Sequence, residues 1–134
     1  MMNKVLLAVA AAFEAVTGIA LIFDPNLARF LLGKDISGAA VVMTRVAGFG
    51  LLALGVACWP RVEGTILRLR AMLIYNLLAT AGLGYLRFSG QSVGKLLLPA
   101  LAVHAVLAIL FVGAWLKHQS GRASKRSWTR TAGS

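Results

Sequence analysis

The chain is poor in the residues on which most soluble chemistry depends. It holds one cysteine, Cys58, four acidic residues and two histidines among 134. A lone cysteine excludes an intrachain disulfide and any thiol relay that needs two cysteines in one chain. Charged residues make up only 13% of the sequence, too little polar surface to clothe a soluble core of this size. There is no Gly-rich phosphate loop, nucleophile elbow or metalloprotease motif. Zinc needs three or four ligands, and the apolar part of the chain offers Glu14 and His104. His118 lies beyond the last apolar run, so a bis-histidine haem would need a homodimer. No metal and no cofactor is expected, and no catalytic residue is assigned.

Apolar length is what the chain does have. Hydrophobic residues make up 59% of it and its mean hydropathy is +0.81, values at which lipid rather than water is the solvent. The formal net charge is +10, but the basic residues sit at the ends of apolar runs, where membrane topology requires them. A nucleic-acid reader would gather them on one folded face with motif support, so no nucleic-acid partner is expected.

Four runs are each close to the ~20 residues that span a bilayer as a helix. They cover about 5–23, 38–59, 66–88 and 96–116. Together they predict an all-α fold, a four-helix transmembrane bundle over 1–116. Lys4 and the Ala8-Val9-Ala10 stretch imitate a signal peptide. The apolar run continues past that point, so an uncleaved first helix is expected. Between the first two spans, Asp24 and Pro25 suit a helix start and Gly33 a helix stop. The enclosed turns carry Leu27, Phe30 and Leu31 on one side and predict a short interfacial helix. Pro60 ends the second span, and Arg61-Val62-Glu63-Gly64 is a tight turn that makes the second and third helices antiparallel neighbours. Ser89 to Gly94 is a turn by composition, Trp115 an interfacial anchor, and 117–134 a basic tail expected to be disordered. Its Ser124–Trp128 stretch reads as a topology anchor rather than as a lipid-binding element.

Orientation follows from Lys and Arg. Lys4, Arg61, Arg68, Arg70, Lys117, Arg122, Lys125, Arg126 and Arg130 fall on one side. Arg29, Lys34, Arg87 and Lys95 fall on the other, diluted by Asp24 and Asp35. Both ends of the chain are therefore expected to be cytoplasmic.

One polar residue sits near the middle of each run: Glu14, Arg45, Asn76 and His104. Such groups are costly at that depth and are kept when paired or used. At 1.5 Å per residue from the span centres, all four fit a slab ~10 Å thick. Each shares a helical stripe with small residues: Ala11 and Gly18, Gly48, Ala79 and Thr80, Ala100 and Ala108. Small residues let backbones approach, so these stripes face the bundle. Two readings stand side by side. In the structural one, Glu14 and Arg45 neutralise each other while Asn76 and His104 tie helices together. In the functional one, Glu14 and His104 exchange a proton near neutral pH, or the cluster binds a substrate. Tyr75, beside Asn76, belongs to the same candidate set, with packing as its simpler role. Cys58, near the end of the second span, is expected to be inert.

Several segments resemble small bacterial four-helix membrane proteins of the DoxX-like group. They are Glu14-Ala15-Val16-Thr17-Gly18, Asp24-Pro25 with Arg29-Phe30-Leu31-Leu32-Gly33, Thr44-Arg45-Val46-Ala47-Gly48 and Tyr75-Asn76-Leu77-Leu78. The resemblance covers about 5–116 and implies a bacterial inner membrane. Some DoxX-type proteins are linked to quinone-coupled sulfur oxidation or oxidative-stress complexes, but no residue here carries that activity. The expected function is an accessory or scaffold subunit, in the bilayer with a partner membrane protein or as a homo-oligomer. The alternatives are a proton-coupled small-molecule transporter acting as an oligomer and a membrane subunit of a quinone-linked oxidoreductase.

Overall fold

The computed structural model describes residues 2–60, 65–89 and 94–131, with side chains described over 3–60, 65–89 and 94–120. Its elements are α1 (Met2–Phe23), a 3-10 turn (Pro25–Ala28), α2 (Arg29–Leu32), α3 (Ala39–Ala57), α4 (Thr65–Phe88) and α5 (Leu97–Thr131). There is no strand among the described residues. Four of the helices are long and apolar enough to cross a membrane. The helical state is what lipid demands, because every backbone N–H and C=O must find its partner within the segment. Hydroxyls obey the same demand. Thr17 donates to the Phe13 carbonyl at 2.8 Å, Thr44 to Ala40 at 2.9 Å and Thr80 to Asn76 at 2.7 Å.

The helices pack as two close pairs, α1 with α3 and α4 with α5. Small residues hold the first pair together. A side chain at Gly18 would meet the Gly48 carbonyl at 2.6 Å, and one at Gly55 the Ala11 carbonyl at 2.6 Å. Only hydrogen fits at such a crossing. The two pairs meet through a core of Leu7, Ala10, Ala11, Cys58, Leu69, Met72, Leu107, Phe111 and Ala114. These residues lie early in α1 and α4 and midway along α5, with Cys58 just past α3, so the core fills the end of the bundle where α1 begins. The Cys58 Sγ lies 4.0 Å from the Arg68 carbonyl at that end.

At the opposite end the chain turns as its sequence suggests. The Asp24 side chain accepts from the Asn26 N–H at 3.1 Å, Pro25 opens the 3-10 turn, and Gly33 closes α2 with a left-handed φ of 70°. The short helix is split, however, into a 3-10 turn and a single α turn, and it packs through Pro25 and Ala28. Leu27 and Leu31 are half-buried and Phe30 is exposed, so the apolar side is left facing outward. Its last turn is tied to the segment entering α5: Gly94 N–H donates to Leu31 and Leu96 N–H to Phe30, both at 2.9 Å. A Cβ at Gly94 would collide with the Phe30 carbonyl, so this approach requires glycine.

One expectation needs correction and two lie outside the described residues. α5 does not stop near Leu116: its backbone stays helical to Thr131, where a disordered tail was expected. Extending an established helix is cheap compared with nucleating one. Trp115 therefore does not mark a helix end, and its indole N–H is buried with no hydrogen-bond partner among the described residues. The turn over 61–64 lies outside the described residues, as do 90–93 of the second turn.

Candidate functional site

Three of the four mid-span polar residues are buried together. Glu14 is 1% exposed, Asn76 0% and His104 8%. α1 supplies the carboxyl, α4 the amide and α5 the imidazole, so the site sits where the two helix pairs face each other. It lies immediately above the apolar core: Leu7 and Ala11 precede Glu14, Met72 precedes Asn76, and Leu107 and Phe111 follow His104. Tyr75 is half-buried and joins them.

The hydrogen bonds fix the polarity of the site. Asn76 Nδ2 donates to the Met72 carbonyl at 2.8 Å, which turns its Oδ1 toward His104 Nδ1 at 3.0 Å. An amide oxygen only accepts, so Nδ1 is the ring nitrogen that carries the proton. In the neutral ring Nε2 is then the free acceptor. The imidazole is clamped edge-on by two aromatic rings. Tyr75 lies 5.6 Å away at 80° and Phe13 6.3 Å away at 72°, both T-shaped arrangements.

Glu14 is held less completely. The Tyr75 hydroxyl is its hydrogen-bonding neighbour. Its Oε1 lies 4.0 Å from His104 Nδ1, beyond hydrogen-bond range of a proton already directed at Asn76. Oε1 is thus a buried acceptor with no hydrogen-bond partner. A carboxyl so placed is suited to taking up and releasing a proton, because the proton supplies the donor that the protein does not.

Arg45 is not part of this site. It is exposed on α3 and makes no hydrogen bond or ion pair among the described residues. The expected Glu14–Arg45 pair fails on helix register. Gly48 meets Gly18 and Ile22, Gly18 meets Leu52, and Gly55 meets Ala11 and Ala15, so the level of Glu14 on α3 falls between Leu52 and Gly55. Arg45 is about 13 Å farther along the axis, level with the end of α1. Taking each span's centre as the same depth hid this offset; only the glycine crossings reveal it. Phe13 is the participant that sequence reasoning missed. Its one available signal was its place next to Glu14, which does not distinguish a clamp from ordinary packing. Compared with known proteins, the chain matches no family model, no curated protein and no solved structure.

Proposed function

We propose that this chain is a small multi-pass membrane protein that carries an exchangeable proton on Glu14, coupled to movement of a small molecule by an oligomer of the chain. The observation that carries the reading is the buried Glu14 Oε1, which has no hydrogen-bond partner among the described residues and whose basic neighbour at 4.0 Å, His104, is bonded to Asn76 instead. A structural carboxylate at this depth requires a positive partner, and the one expected for it, Arg45, stands elsewhere. Tyr75 supplies the hydrogen-bonding group at the carboxyl, and His104, 4.0 Å from Oε1, is the neighbouring group that can take or give a proton once its ring leaves Asn76. The resemblance to DoxX-like proteins and the distribution of Lys and Arg support a bacterial inner membrane with both chain ends cytoplasmic. The test uses proteoliposomes enclosing a pH-sensitive dye, to which candidate small molecules are added under an imposed pH gradient. Proton movement that depends on an added compound and disappears in Glu14→Gln supports the reading. Equal responses from wild type and Glu14→Gln sink it.

Arg45 favours a second reading, an accessory subunit. An exposed guanidinium within an apolar span suits the carboxylate of a partner helix. Purification in mild detergent should then recover a partner that Arg45→Leu loses, and a lone chain in both preparations would dismiss this reading.

A further inference from the structure

Beside the polar site, α1 and α5 do not close on each other along the end of the bundle where α1 begins. They leave a groove of about 740 Å³ between Leu6 and Val9 on one side and Leu110 and Gly113 on the other. Its lining is apolar except at one extremity, where Asn3 and Lys117 stand. From Leu107 at its deep end to Lys117 is about 15 Å along the helix, half the ~30 Å hydrocarbon thickness of a bilayer. The groove therefore has the length of one leaflet, is apolar throughout its depth, and carries a cation and an amide at headgroup level.

We propose that this groove is a binding site for an anionic phospholipid of the leaflet on that side, with an acyl chain between α1 and α5 and the phosphate at Lys117 and Asn3. The charge pattern selects the occupant. A neutral acyl chain explains the walls but not the lysine, and a lipid phosphate explains both. Lys4, one residue from Asn3, adds a second positive charge at the same level. The groove's deep end is one turn below the polar site, since Val9 precedes Phe13 by four residues and Leu107 follows His104 by three. A bound chain would thus end beneath the ring that clamps His104.

Gly113 provides a clean test. A side chain there meets nothing within 4 Å, so a larger residue fills the groove without disturbing the helices. The protein is reconstituted in phosphatidylcholine vesicles, and spin-labelled phosphatidylglycerol and phosphatidylcholine are compared by electron spin resonance. Wild type should restrict phosphatidylglycerol in preference to phosphatidylcholine. Lys117→Gln should lower that preference about fivefold at low salt, the contribution of one basic residue near a lipid phosphate. Gly113→Leu should lose about one restricted lipid per chain with its thermal stability unchanged; should it misfold, Leu110→Trp occupies the groove from the same wall. Unchanged preference in Lys117→Gln overturns the proposal. So does an unchanged count of restricted lipid in Gly113→Leu or its substitute, or a shift from dimer to monomer with lipid unaffected, which would assign the groove to a second copy.

Discussion

At the scale of single residues, Asn76 decides more than its size suggests. Its amide spends one group on the Met72 carbonyl and the other on His104, so it sets which imidazole nitrogen holds the proton. Asn76→Ala removes that instruction and leaves a buried N–H without an acceptor. The expected stability loss is about 0.6–2 kcal/mol, the range for hydrogen bonds between membrane helices. A smaller change in stability would not by itself test the geometry, but nitrogen NMR of His104 does. Wild type at a pH where the ring is neutral should show the Nδ1–H tautomer, and Asn76→Ala should show a mixture or the other tautomer. A wild-type ring protonated at Nε2 would mean that the Asn76 oxygen is not its acceptor.

At the scale of elements, α1 and α3 approach closely where Gly18 crosses Gly48. Lipid tails are as apolar as leucine, so close packing rather than escape from water drives this association. Gly48→Leu would drive a side chain into the Gly18 carbonyl and the Ile22 side chain, at 2.8 and 3.0 Å even for its first carbon. The expected cost is about 1–3 kcal/mol or loss of the folded pair. Gly50, two residues on, has open space around it, so Gly50→Ala should be neutral or stabilise the helix by up to about 1 kcal/mol. Equal sensitivity at the two positions, measured by thermal unfolding in detergent, would contradict the crossing. The elements themselves were legible because a membrane span needs only length and apolarity: the four runs match α1, α3, α4 and the first part of α5. Burial of Glu14, Asn76 and His104 was legible too, from the small residues on their stripes. Relative height was not. Glu14 and Arg45 both lie near the middle of their own spans, yet the glycine contacts slide α3 until they stand apart. The end of α5 escaped for a different reason, since low apolarity argues against a span but not against a helix that is already running.

At the scale of the whole molecule, two tight helix pairs are joined by one apolar core at one end and by the polar site above it. Phe111 is the largest side chain buried completely, and Cys58, 2% exposed, belongs to the same core although it follows α3. Phe111 comes from the α4–α5 pair and Cys58 from the α1–α3 pair, so the core is the seam between the halves. Phe111→Ala leaves a void at that seam that neither tight pair can close without losing its own contacts. Truncating a buried phenylalanine costs about 3–5 kcal/mol in water-soluble cores, where part of the cost comes from transfer to water. In lipid that part largely disappears and the packing loss remains, so a smaller penalty is expected here. The cysteine reports the effect without any added probe. Wild-type Cys58 should react slowly with a maleimide in mild detergent and rapidly after denaturation. Phe111→Ala should accelerate the native reaction several-fold while helical content, set within each pair, stays constant. If Cys58 reacts at the same rate in both proteins, the halves do not separate at this seam. If it reacts rapidly already in the folded wild type, the seam is not closed by the core, and the position of the polar site between two firmly joined pairs fails with it.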